Sequence, residues 1–248
     1  MAFLQEPERQ PFLRVPAATV GLIAALVVAH VARVMSPILT SQAIIFNYAF
    51  YPARYSHAFL VAHNASPQTF WDRAVPFVSY MFLHANATHL AINCGFLLPF
   101  GTVVARRFGA VLFLTLFLVC GIAGALAHLL THWGSTDYTL GASAAISGLM
   151  AVGFRIIAMV DAPDVQSYTA AVSGKPGSQQ PLAPLFSLRF LGWSAMFLAI
   201  NVFAGSTGWG AGPGPGPQLI AWQAHIGGYV AGMILAGPFD SLARRLRA

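Results

Sequence analysis

Six stretches of this chain, residues 15–32, 87–105, 108–130, 141–160, 185–204 and 219–237, carry little or no charge for about the length of a bilayer crossing. A helix rises about 1.5 Å per residue, so roughly 20 residues cross a hydrocarbon layer about 30 Å thick. With 57% hydrophobic residues and only 8% charged ones, the chain cannot cover itself with a water-facing shell, and lipid must contact much of its surface. The expected fold is an all-α membrane protein with six transmembrane helices. The first stretch is too long for the apolar part of a secretory signal. It ends in His30, Arg33 and Met35 without a small-residue cleavage site, so it reads as a retained helix.

Lys and Arg set the orientation. On a six-span path Arg9, Arg14, Arg106, Arg107, Arg155, Lys175, Arg189, Arg244, Arg245 and Arg247 fall on one side, and Arg33, Arg54 and Arg73 on the other. Ten against three places both termini in the cytoplasm by the positive-inside rule. The net charge of +6 is then a topological signal and calls for no nucleic-acid partner. Residues 1–14 read as a short cytoplasmic segment, 15–238 as the membrane domain and 239–248 as a basic cytoplasmic tail. The two cysteines, Cys94 and Cys120, lie inside spans, where a thiol behaves as a small buried hydrophobe; neither a disulfide framework nor a cysteine metal site is indicated.

Three connections stand out. The segment after the first span, residues 36–85, is aromatic and interrupted by Pro37, Pro52, Pro67 and Pro76, which predicts short helices in or on the outer leaflet. Residues 161–184 are polar and turn-prone, as suits a cytoplasmic loop. Residues 205–217 are nearly all Gly, Pro, Ser, Thr and Trp, as suits a gate on the outer side.

Polar side chains inside spans are costly and therefore informative. His89 and Asn93 share one face of the second span, Ser143 opens the fourth and His225 lies in the sixth. Asn86 is placed to cap the second. Asn93 lies thirteen residues from Arg106, Ser143 twelve from Arg155 and His225 thirteen from Pro238. If these three mark one inner boundary, the polar groups share a level about 18 to 20 Å above it, with His89 one turn higher. Gly141 and Ala144 flank the serine, and Gly228 and Gly232 follow the histidine in a GxxxG relation. Such small residues let helix backbones approach closely in lipid. An imidazole can take the proton of a serine hydroxyl and return it to a leaving amine, which makes Ser143 a candidate nucleophile and His225 its base. Asn93, His89 and the N–H groups near Ser143 are the donors available to an oxyanion.

Each group also has an ordinary explanation. A serine in a span usually packs or bonds its own backbone, and an asparagine there can simply join helices. Ser147 lies one turn from Ser143 and lacks a glycine two residues before it. His30, His84, His128 and His132 sit near span ends, where structural roles are common, and Arg155 reads as an interfacial snorkelling residue. What sets the group apart is shared depth together with small-residue packing.

His84-Ala-Asn-Ala-Thr-His89-Leu-Ala-Ile-Asn93, Gly141-Ala-Ser143-Ala and His225-Ile-Gly-Gly228-Tyr-Val-Ala-Gly232, in that order, resemble the rhomboid family of intramembrane serine proteases over roughly residues 15–237. The resemblance implies a six-helix bundle in which Ser143 attacks a peptide bond in or near the transmembrane segment of a single-pass protein. His225 would act as base, with His89 and Asn93 helping to hold the oxyanion. It implies no cofactor and no metal. The location expected for the chain is a bacterial cytoplasmic membrane. The chain departs from the family pattern at Ala144, where glycine usually follows the nucleophile, and at Ser147, where some members carry a tyrosine that supports the histidine. The usual Trp-Arg pair ahead of the second span is also missing, with Trp71 and Arg73 as displaced candidates. Two other classes of function compete: a rhomboid-like pseudoprotease that binds transmembrane clients uncut, and a small transporter. The transporter predicts charge at mid-membrane, whereas Arg33, Arg155 and Arg189 lie near boundaries. A zinc protease is opposed by the absence of HExxH.

Overall fold

A computed structural model of the protein describes residues 15–159, 181–208 and 221–247. The expected N-terminal segment 1–14 and most of loops 161–184 and 205–217 lie outside the described residues. Six main helices order the rest: α1 (Ala17–Met35), α2 (Ala87–Phe108), α3 (Ala110–Thr131), α4 (Ser143–Ile157), α5 (Leu188–Thr207) and α6 (Trp222–Arg245). All but α4 are long and apolar enough to cross a bilayer. The extended pairing among the described residues is one bridge, Phe50 to Thr139.

Helix ends follow local chemistry. The Asn86 side chain accepts a hydrogen bond from the His89 N–H at 2.8 Å and starts α2. Gly109 alone separates α2 from α3; its φ of +83° is open to glycine at little strain. The Ser187 hydroxyl caps α5 by accepting from the Phe190 N–H.

Two helices differ from their sequence-based outlines. Among the described residues of the apolar run 141–160, the helix covers Ser143–Ile157; it starts late because Gly141 adopts φ +115° and gives its N–H to the Tyr80 carbonyl at 2.9 Å. Fifteen residues span about 22 Å, short of the hydrocarbon thickness. At the other end, α6 runs through Pro238 to Arg245, so the segment after 238 continues the helix. Asp240, on this last part of α6, pairs with Arg107 of α2 at 2.7 Å, both side chains nearly buried, and with Arg244 at 2.7 Å.

α4 is the centre of the bundle. Eleven of its fifteen residues are buried, and α2, α3, α5 and α6 all pack on it. The approach of α6 is closest: a Cβ on Gly228 would overlap the Ala144 carbonyl, and one on Gly232 would overlap the Gly148 backbone. Arg155, read from the sequence as an interfacial residue, donates to the Ala183 carbonyl at 2.9 Å and the Met233 carbonyl at 3.2 Å. The segment between α1 and α2 forms short helices, Ile38–Tyr48, His57–Ala62, Phe70–Ala74 and Pro76–Ser79, with 3-10 turns at Pro52–Tyr55 and Tyr80–Phe82. Phe50 anchors it against the Tyr55 and Phe77 rings, and Arg33 of α1 donates to the His84 carbonyl at 2.8 Å and the Ser41 hydroxyl at 3.1 Å. Phe70 and Trp71 point outward, and Asp72 is held below its ordinary carboxylate range by its bonds to Thr69.

Asp240→Ala leaves the Arg107 guanidinium buried without its carboxylate and is expected to cost about 3 kcal/mol. Thermal unfolding in detergent measures this, and an unchanged midpoint would show that the pair holds nothing.

Candidate active site

The site begins where α4 begins. Ser143 is the first helical residue, and the first backbone bond of the helix runs from the Ile146 N–H to the Ala142 carbonyl at 2.9 Å. The N–H groups before Ile146 have no partner within the helix. The first turn contains no acidic residue, so the positive end of the helix dipole is not neutralised there. This end of α4 favours negative charge close to the Ser143 hydroxyl.

His225 stands in the first turn of α6, and its Nε2 lies 2.7 Å from Ser143 Oγ. Gly228, one turn on, permits this approach by letting the two backbones touch. Ser143 and His225 are both half-buried. Ser147 is turned away from this chemistry, its hydroxyl donating to the Ser143 carbonyl at 2.8 Å.

His89 and Asn93 line the opposite wall. A Cβ built on Gly141 would stand 2.7 Å from His89 Nε2 and 3.7 Å from Asn93 Nδ2, so both side chains lie over the residue two before Ser143. Asn93 is buried and gives one amide hydrogen to the His89 carbonyl at 3.0 Å, which leaves the other for a ligand. The His84 ring packs edge-on against His89 with centroids 5.2 Å apart. His84 precedes α2, and burial first, then the His89 and His30 rings, push its imidazole down to about 3. It packs there as a neutral ring.

The structure thus brings Ser143 to His225 and places His89 and Asn93 beside Gly141, with Ala144, Gly228 and Gly232 in the close helix contact. One neighbour was missed. Asn201 of α5 puts Oδ1 2.6 Å from His225 Nδ1. A signal for it existed: Asn201 is polar, lies in the fifth apolar stretch and stands twelve residues from Arg189, the same spacing that separates Ser143 from Arg155. α5 is the most loosely held of the spans, with four of its twenty residues buried. It docks on α6 through Phe197, stacked on Tyr229 at 4.3 Å, and through a 2.6 Å hydrogen bond between the Ser194 and Tyr229 hydroxyls.

Chemically, the arrangement is a hydroxyl, an imidazole and a carboxamide in sequence, beside the N–H groups at the start of α4. Such a site can form and stabilise a tetrahedral oxyanion. Among the described residues no three His, Cys, Asp or Glu side chains converge as metal ligands would. A family model described as Rhomboid domain matches residues 68–239, more than half of the chain, and takes in every residue of this site. No curated protein matches the chain.

Proposed function

The chain belongs to the rhomboid family, with helices fit to cross a membrane several times, and on that premise we propose that it is an intramembrane serine endopeptidase. Its substrates are single-pass membrane proteins cut in or near their transmembrane segments. The observation that carries the reading is the 2.7 Å hydrogen bond between Ser143 Oγ and His225 Nε2 beside the start of α4.

As Oγ attacks the carbonyl carbon of the scissile bond, Nε2 takes the hydroxyl proton. The oxygen that gains charge is stabilised by the free N–H groups of α4, assisted by Asn93 and His89. The C–N bond breaks, and the imidazolium returns its proton to the departing amine, leaving an acyl ester on Ser143. Water, giving a proton to the same Nε2, attacks the ester; the bond from the acyl carbon to Oγ breaks, the imidazolium returns its proton to Oγ, and the new carboxyl end is released. The enzyme works in a lipid bilayer, which we assign to the bacterial cytoplasmic membrane with both termini inside. The reaction calls on no cofactor.

The test is cleavage of a panel of single-pass substrates by the purified protein in liposomes. The parent cuts, Ser143→Ala does not, and Ser147→Ala stays within about three-fold of the parent, since its hydroxyl bonds only its own helix. Binding without cleavage by the parent would support the pseudoprotease reading, and equal cleavage by Ser143→Ala would mean a different nucleophile.

A further inference from the structure

We infer that Asn201 is the positioning residue of this site, fixing the tautomer and direction of the His225 ring. The hydroxyl–imidazole pair then becomes a triad whose third member arrives on a separate helix. The inference rests on the protease reading and deepens it.

A carboxamide is ambiguous until its nitrogen is accounted for. Here the nitrogen is accounted for: Asn201 Nδ2 donates to the Phe197 carbonyl, one turn back on α5, at 2.8 Å. A backbone carbonyl only accepts, so the amide oxygen is the atom that faces His225, at 2.6 Å from Nδ1. That oxygen also only accepts, so the ring must carry its proton on Nδ1. Nε2 is left with a lone pair, directed at Ser143 Oγ 2.7 Å away. Every proton along the line from Ser143 to Phe197 is therefore assigned by the groups present. The opposite tautomer would set two lone pairs against each other at Asn201 and would make Ser143 Oγ an acceptor, with no lone pair on Nε2 to take its proton.

The neighbours of the ring leave this task to α5. Ser147, one turn along α4, has given its hydroxyl to the Ser143 carbonyl. Phe197, whose carbonyl holds the Asn201 amide, is also the residue that stacks on Tyr229 of α6 at 4.3 Å. The contact that docks α5 and the contact that orients His225 are thus one turn apart on the same loosely packed helix. A helix that shifts away from α6 takes the orienting oxygen with it, so the base is correctly set only while α5 is docked.

The test uses the full chain in liposomes with one cleavable transmembrane substrate, comparing the parent, Ser143→Ala, Asn201→Ala and Asn201→Asp for kcat, KM and rate against pH. Asn201→Ala is expected to lower kcat by about 10- to 100-fold with KM changed less than about two-fold, since an imidazole that loses its orienter loses turnover before substrate binding. Asn201→Asp keeps an acceptor in place and is expected to recover kcat to within about ten-fold of the parent. Its carboxylate holds a proton on the ring more tightly, so the acidic limb of its rate profile moves to higher pH by about one unit. A purely structural role for Asn201 would lower the folded yield of both variants and leave the limb where it was. If Asn201→Ala does not fold, the limb of Asn201→Asp decides alone. A parent that cleaves and is silenced by Ser143→Ala, with Asn201→Ala at parental kcat or the Asn201→Asp limb unmoved, overturns this inference and leaves the protease reading standing. A parent that never cleaves overturns the protease reading and this inference with it.

Discussion

His225→Ala is expected to lower kcat on a transmembrane substrate on the order of ten-thousand-fold or more, with KM nearly unchanged. The imidazole reaches the hydroxyl of Ser143 at 2.7 Å, and a serine that cannot shed its proton is a very poor nucleophile. In the proposed reaction a transmembrane substrate is held by the helices around the site and not by the imidazole, so binding should persist. A fluorophosphonate that labels the parent at Ser143 should label the variant at a similarly reduced rate, while thermal unfolding in detergent stays close to that of the parent. Labelling and cleavage within ten-fold of the parent would mean that another group accepts the proton, and the proposed chemistry would have to be rebuilt around it.

The second large effect concerns packing. Gly228→Leu places a branched side chain where the Ala144 carbonyl already lies, with the Cys120 carbonyl 3.2 Å from its first carbon. Overpacking a core usually costs about 1 to 3 kcal/mol because side chains can turn aside. Backbone cannot, so the loss here is expected to exceed that range, and α6 must move away from α4. Both stability and cleavage should collapse, with a thermal midpoint far below that of the parent. Gly237 on the same helix provides the control, since a Cβ there meets nothing within 4 Å. Gly237→Ala should leave the midpoint level or raise it slightly. Equal behaviour of the two variants would show that the α4–α6 contact is not tight in the membrane.

What could be read from the sequence was whatever hydrocarbon makes expensive. Ser143, His225, His89 and Asn93 stood out because polar groups in a span need a reason, and Gly228 and Gly232 because small residues in register mark a helix contact. Their chemical roles belong to the proposal. The ends of helices were harder to read. Residues 141, 142, 158 and 159 are as apolar as the helix they flank, so hydropathy carries no sign that Gly141 leaves helical space at φ +115°. Pro238 reads as a stop, yet the helix passes through it, and beyond it Asp240 meets the buried Arg107 from a distant part of the chain. Asn201 lies inside the fifth apolar stretch, but its link to His225 is made by how α5 docks on α6, which no local pattern in the sequence encodes.

The shortness of α4 works as a ruler. Its last turn carries Arg155, and its first residue is Ser143, about 18 Å away along the axis. On the proposed orientation, with Arg155 at the inner edge of a hydrocarbon layer about 30 Å thick, the proposed nucleophile stops about 12 Å beneath the opposite edge. A peptide bond below the middle of the layer would lie more than about 3 Å too deep for it. In the proposed reaction, then, depth selects before sequence does. A substrate presents its scissile bond only where its own helix comes undone within the outer half of the membrane, on the side of the water that the second half of the reaction consumes.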